Sequence, residues 1–292
     1  MKSFLISGGS VPGSDHRQPL TQSNCQDAFG ITDLDDLIVA VVCDGSGSQP
    51  NSEIGAKLGV QLLSNVLQNQ LRRADGHLSQ ADNPDQAGAV LFQALRRSEL
   101  DMLSHIRVLA NAMTPADGSL SKTIQRNFLF TLVGLAVTKR WATVFYVGDG
   151  VYAINGEVST LGPFPENKPP YPSYQLIGSD DFASDSQLIQ LRLAAVLPTE
   201  EITSILIGTD GVDHLISAEE SKLPGRKDKV GPVRQFWEQK QFVENSDAVR
   251  RRLALITQNA VFLDTSKGSS PHLTTETGLL KDDTTIVVLQ RS

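Results

Sequence analysis

A chain of 292 residues, 40% apolar and 20% charged, has the make-up of a globular protein long enough to bury a large core within one domain. Its net charge of −7 argues against a general nucleic-acid surface and leaves any phosphate-handling site in need of local cations. Two cysteines, Cys25 and Cys43, exclude a disulfide framework and a four-thiolate zinc site, and no apolar run has the length of a signal peptide or a membrane span, so a cytoplasmic location is expected.

Leu37 to Cys43 (LIVAVVC) is a continuous apolar, β-branched run, as a buried strand requires. Ser52 to Leu71 reads as a helix. Ser52 suits its cap, Glu53 its positive end, and Ile54, Leu58, Leu62, Leu63, Val66 and Leu67 form one stripe. A second helix spans Gln86 to Ala110, with an apolar face from Val90 to Leu109. Polar loops are expected around Asp75-Gly76 and over Thr114 to Lys122. Strands at Phe128 to Val137 and Trp141 to Val147 flank Lys139-Arg140, which predicts a hairpin. The Pro-rich stretch Gly162 to Pro172 suits neither a helix nor a central strand, and is read as a long surface loop bordering a site. Ser186 to Leu193 alternates like a half-buried strand, and Ser204 to Ile207 is another. Val233 to Phe242 and Asp247 to Gln258 read as helical, and Thr285 to Leu289 is the last strand. This order predicts a layered α+β fold in a single domain over residues 1–292.

Asp-Gly occurs five times. Asp75-Gly76 and Asp117-Gly118 sit in polar surroundings, where the dipeptide is ordinary turn chemistry. The other three each follow an apolar strand: VAVVCDG ends at Asp44-Gly45, VFYVGDG at Asp149-Gly150 and ILIGTDG at Asp210-Gly211. Asp282-Asp283 precedes the last strand, and Asp27 precedes a strand near Phe29 to Thr32. Strand ends in packed sheets lie close in space, so these carboxylates are expected at one edge. There they would repel each other unless cations sat among them. Hard oxygen ligands without paired His or Cys point to Mg²⁺ or Mn²⁺, and two such ions suit phosphoryl transfer.

The segments NCQDAFG, VVCDGSGS followed by SEIGA, FTLVGLAV with FYVGDG, ILIGTDGV and KDDTTIVVL, in this order, resemble the PPM phosphatases of the protein phosphatase 2C type over residues 13–289. HRQPLTQSNCQDAF and ENKPPYPSYQL resemble a bacterial subfamily. The resemblance implies an αββα sandwich of two antiparallel sheets flanked by helices, with a variable flap at about 159–185 and an insertion at about 213–245. It implies a protein-serine/threonine phosphatase in which a hydroxide bridging two Mg²⁺ or Mn²⁺ ions attacks phosphorus, with no phosphoenzyme. By the same resemblance Asp44 and the Gly45 carbonyl bridge the two ions, and Asp27 sits at the metal centre. Asp210 and Asp282 hold the ion whose water attacks, while Asp149 helps Asp210 hold a third, weaker ion. Asp27, Asp44, Asp210 and Asp282 are thus the candidate catalytic residues. Asp283 stands where the family usually has Asn and supports the ligands from behind. The implied partner is a phosphorylated protein, substrate of a cognate Ser/Thr kinase, with no nucleic acid or membrane.

The sequence departs from the human-type members at two points. Ser46 stands where they place a His read as the general acid, and a serine hydroxyl is a poor acid at neutral pH. A metal-bound water or another group must then protonate the leaving oxygen. Gln22 stands where they place a phosphate-binding Arg, so Arg17 is the substitute candidate and His16 a further candidate acid or phosphate contact. The basic cluster Lys222, Arg226, Lys227 and Lys229 could steer phosphorylated substrate, or could be a solvated loop. Two other functions fit the same residues: a non-catalytic module that binds a phosphoprotein or a kinase, and a phosphatase for small metabolites.

Overall fold

The computed structural model describes residues 4–16, 25–182, 185–264 and 272–292. One sheet holds β2 (Ala28–Asp33), β3 (Ile38–Gly45), β4 (Phe130–Val137), β5 (Trp141–Val147) and β8 (Arg192–Pro198), in that order. The other holds β1 (Phe4–Val11), β12 (Thr284–Arg291), β9 (Ser204–Gly208), β6 (Gly150–Ile154) and β7 (Glu157–Leu161), in that order. Neighbouring strands are antiparallel throughout. A separate ribbon pairs β10 (Ala260–Asp264) with β11 (His272–Glu276).

Three apolar layers explain why the central strands are apolar on both faces. Along β3, Ile38, Ala40 and Val42 face the other sheet, meeting Ile205, Ile207, Val287 and Leu289. Val39, Val41 and Cys43 point the opposite way, the alternation a strand imposes. They pack on α1 (Ser52–Gln80) and α2 (Pro84–Met113), through Val60, Leu63, Leu67, Leu91, Leu95 and Met102. α3 (Leu120–Asn127) closes this layer through Ile124. On the far side β12 turns Ile286 and Val288 outward, against short helices. These are α5 (Val212–Ser217), α6 (Gln235–Glu238), α7 (Gln241–Glu244) and α8 (Ala248–Thr257), which bring Leu215, Phe236, Val243 and Leu253. The order helix, sheet, sheet, helix is the expected αββα sandwich.

Several expectations need correction. The first helix runs on to Gln80, and Asp75-Gly76 lies inside it. Its buried stripe continues through Leu71 and Leu78, and that packing outweighs the roughly 1 kcal/mol cost of an exposed helical glycine. Ser52 is its first residue rather than its cap. The cap position is Asn51, and the Ser52 hydroxyl accepts from Gln26 Nε2 at 2.8 Å. At the second helix Asn83 caps through Gln86 N at 2.9 Å, with Pro84 at the first turn. Ser186 to Gln190 is a series of turns, and its strand begins only at Arg192. The preceding Leu191 N donates to the Glu99 carboxylate at 3.0 Å instead of to a strand. The helix expected over Val233 to Phe242 is broken into α6 and α7, Gln239 being extended between them. The hairpin at Lys139-Arg140 is present.

The Pro-rich stretch is a surface loop only in its first half. Pro169, Pro170, Tyr171, Pro172 and Ser173 are buried, and lead into α4 (Tyr174–Ile177). Ser173 Oγ donates to Phe128 O at 2.6 Å, and Gln175 Nε2 donates to Ile189 O and to Glu99 Oε1. Glu99 is fully buried in α2 and also pairs with Arg96. This network clamps the segment between the end of α3 and α2. No helix of the described residues is long and apolar enough to cross a membrane.

Candidate active site

The three strand-end Asp-Gly turns meet at one end of the sandwich. Asp44 ends β3, Asp149 lies between β5 and β6, and Asp210 follows β9. A cleft of about 390 Å³ opens there, and Asp44, Gly45, Asp149, Asp210 and Asp282 all line it. Two of the turn glycines are needed for close backbone approach. A Cβ on Gly45 would lie 2.8–2.9 Å from the Ser52 backbone and from Gln26 O. On Gly211 it would overlap Asp283 O, so only glycine lets the Asp210 turn press against the strand carrying Asp282.

Asp27 lies beneath the cleft at 4% exposure. Its Oδ2 accepts from Thr209 Oγ1 at 2.8 Å, and Thr209 Oγ1 in turn accepts from Thr285 N at 3.0 Å. Asp27 is thereby tied to β9 and β12, the strands of the far sheet next to Asp210 and Asp282. Asp283, at 2% exposure, is saturated with donors. Its Oδ1 accepts from Gly13 N at 2.8 Å and His16 Nδ1 at 2.9 Å, and its Oδ2 from Gln26 N. Asp283 therefore stitches the 13–16 loop and the approach to β2 together. Its oxygens are committed, although His16, Asp282 and Asp283 offer ligand atoms within 4.8 Å of one another. Asp282 is about half exposed, and its Oδ1 accepts from Asp283 N at 2.8 Å.

The electrostatics record the crowding. Burial first, then Asp27, Asp210, Asp282 and Asp149, push Asp44 well above the usual carboxylate range. Burial and the neighbouring Asp283 do the same to Asp27. Burial holds Asp149 at about 6. Burial, Asp149 and Asp282 hold Asp210 at about 7. Among the described residues, the buried atoms Asp27 Oδ1 and Asp149 Oδ1 have no hydrogen-bond partner. Unpartnered buried carboxylate oxygens beside like charges suit hard divalent cations and little else. The donor set thus fits Mg²⁺ or Mn²⁺.

Other expected residues are placed as follows. Ser46 lines the cleft, with its Oγ 3.1 Å from Ser48 Oγ and its N donating to Leu129 O. His16 lines it too, held by Asp283. Arg17 and Gln22 lie outside the described residues. Lys222, Arg226, Lys227 and Lys229 do not line the cleft. They are exposed, Lys229 pairs with Glu220, and Arg226 borders a different cavity with Val261 and Phe262. Four residues escaped the sequence reading: Thr209, which orients Asp27; Asp213, whose charge raises Asp149 and Asp210; and Lys168 and Tyr171, which bring a cation and a phenol to the cleft wall. The Pro-flanked aromatic in PPYP was the available sign of the last.

The family model for Protein phosphatase 2C matches residues 13–254. No curated protein matches the chain. Among solved structures, a bacterial serine phosphatase is 15% identical with a TM-score of 0.52, covering 98% of this chain and 97% of that one. Serine/threonine phosphatase Stp1 from Staphylococcus aureus is 14% identical with a TM-score of 0.51, over 98% and 94%. Serine-threonine phosphatase 2C from Toxoplasma gondii is 13% identical with a TM-score of 0.56, over 99% and 95%. At such identities these three share the fold.

Proposed function

The chain belongs to the protein phosphatase 2C family, and from that premise we propose that it hydrolyses phosphoserine and phosphothreonine in proteins by direct attack of water on phosphorus, without a covalent phosphoenzyme. Membership gives the general class, a metal-dependent serine/threonine protein phosphatase. The observation that carries the finer reading is the convergence of Asp44, Asp149, Asp210 and Asp282 on one cleft, with Asp27 beneath it and two buried carboxylate oxygens unpartnered among the described residues.

Asp27, Asp44, Asp210, Asp282 and the Gly45 carbonyl would hold two Mg²⁺ or Mn²⁺ ions, and Asp149 with Asp210 a third, weaker one. When bound, such ions would supply an activated water for attack on phosphorus and offset the charge of the phosphoryl oxygens. The chain's own groups do the rest. Thr209 fixes the rotamer of Asp27, and Asp283 keeps the 13–16 loop and Gln26 in register with Asp282. Lys168 at the cleft wall is paired with Glu166 at 2.7 Å, so the positive charge it brings to the phosphate entrance is partly offset. The proposed substrate is the phosphorylated product of a Ser/Thr kinase.

Hydrolysis of a phosphothreonine peptide with and without Mn²⁺ tests the reading. Turnover should need the ion, exceed that of sugar phosphates and fall by at least about 1,000-fold in Asp44→Asn, several kcal/mol of lost charge stabilisation. Protein that stays inert in Mn²⁺ near neutral pH overturns it.

A further inference from the structure

A serine or threonine oxygen leaves phosphorus as a poor leaving group and needs a proton as the bond breaks. The cleft carboxylates are claimed by the proposed cations or, in Asp283, saturated with donors. His16 spends Nδ1 on Asp283, and its Nε2 faces Asp282 at 3.7 Å. Ser46 and Ser48 carry hydroxyls that bond each other. Tyr171 stands apart from these. Its ring is buried at 8% exposure while the residue lines the cleft together with Ser46, and its hydroxyl lies near enough to Ser46, Asp44 and Asp149 for each to act on it. We propose that Tyr171, beside Ser46, is the catalytic residue that protonates the departing serine or threonine oxygen, a role that rests on the phosphatase reading above.

The step balances. Water attacks phosphorus opposite the departing oxygen and the P–O bond breaks. Its electron pair passes to that oxygen, which takes the Tyr171 O–H proton. The product phosphate releases to solvent the proton brought by the attacking water, and the phenolate regains one from solvent, so the enzyme returns to its starting state. Ser46, beside the same phenol in the cleft wall, borders its path to that oxygen. A phenol is a stronger acid than the serine or threonine alcohol it protonates, so the transfer runs downhill once the alkoxide develops. Burial raises Tyr171 and weakens it as a donor, which the charge growing on that oxygen offsets.

The setting is pre-organised. Pro169, Pro170 and Pro172 restrict the backbone on both sides. Tyr174 packs edge-on against the ring, with centroids 5.4 Å apart, and Tyr174 N donates to Tyr171 O at 3.1 Å. Pro170 O lies 3.0 Å from the space a Cβ on Gly148 would fill, so the segment rests directly on the turn bearing Asp149. A donor fixed this way loses little entropy in reaching its acceptor.

The test compares a phosphothreonine peptide with para-nitrophenyl phosphate, whose aryl oxygen leaves without needing a proton. In Tyr171→Phe, the ratio of peptide to aryl kcat should fall about 100-fold, within the range general acids supply. Replacement of Tyr171 by 3-fluorotyrosine should restore the ratio. In the Mg²⁺-loaded full chain, the fluorine resonance of that residue should shift on addition of inorganic phosphate. Equal loss on both esters marks a structural tyrosine and overturns the proposal, as does an unchanged peptide rate. A fluorine signal blind to phosphate overturns it even if Tyr171→Phe fails to fold. A wild-type protein inert on both esters overturns the phosphatase reading along with it, whereas an active one with an unchanged ratio in Tyr171→Phe overturns this step alone.

Discussion

Stripping divalent cations from the cleft should make the fold less stable as pH rises, and two carboxyls give a lower bound on the effect, since the buried Asp27 and Asp44, raised in the same direction, add to it. Asp149 is held at about 6 and Asp210 at about 7, against an ordinary 3.8 for each. Both folded-state values lie above the unfolded one, so the folded chain binds these protons more tightly. Their stabilising contribution is complete below about pH 4 and is lost as pH climbs through about 7. At about 1.4 kcal/mol per unit, the shifts correspond to about 3 and about 4 kcal/mol. They do not add, because the Asp210 shift already contains the Asp149 charge, and Asp210 is partly exposed and screened by solvent. A fall of about 4 kcal/mol for the pair is expected. Exposed Asp247, lowered by its bonds to Arg250 and Arg251, acts only below this window. Urea unfolding in EDTA from about pH 4.5 to about pH 7.5 should show a falling midpoint at constant m, and saturating Mg²⁺ should abolish the fall. Asp210→Asn should raise metal-free stability at the upper pH while removing most of the Mg²⁺ effect. A metal-free midpoint that is flat or rises across this range refutes the reasoning, and so does an Asp210→Asn protein less stable than wild type there.

Thr209→Val keeps the shape of the side chain but strands Thr285 N and removes the bond to Asp27 Oδ2; urea unfolding should show a loss of about 2 kcal/mol. Glu99→Ala leaves Leu191 N, Gln175 and Arg96 without their acceptor, and should cost about 3 kcal/mol, against about 1 kcal/mol for Glu99→Gln, read by the same method. Gly55→Ala would stabilise an open helix, but here the new Cβ lies 2.5 Å from Asn127 O and 2.6 Å from Phe128 Cα. Overpacking should win by about 2 kcal/mol, seen as a lowered thermal midpoint.

What the sequence disclosed depends on what each residue's neighbours demand. Strands β3, β4, β9 and β12 are covered on both faces, so they are written as unbroken apolar runs. The edge strands carry no such mark. In β1, Gly8 and Gly9 make room for the Phe29 ring and the Arg250 backbone, a requirement visible only once those neighbours are placed. In β7 the solvent face of EVSTL reads like a loop. Asp-Gly at strand ends disclosed the acidic cleft, since position along the strand fixes where the turn falls. The same dipeptide at Asp75-Gly76 misled because a long-range helix contact overrode a local preference. Thr209 and Tyr171 matter through partners far away in the chain, Asp27 and Ser46, and no local pattern encodes such meetings.

β12 is inserted between β1 and β9, and Gly13 N reaches Asp283 across 270 positions. A nascent chain still holding its last strand inside the ribosome has neither the wedge that joins those two strands nor Asp282 and Asp283. The proposed cation-binding cleft therefore stays incomplete until β12 has been inserted between β1 and β9.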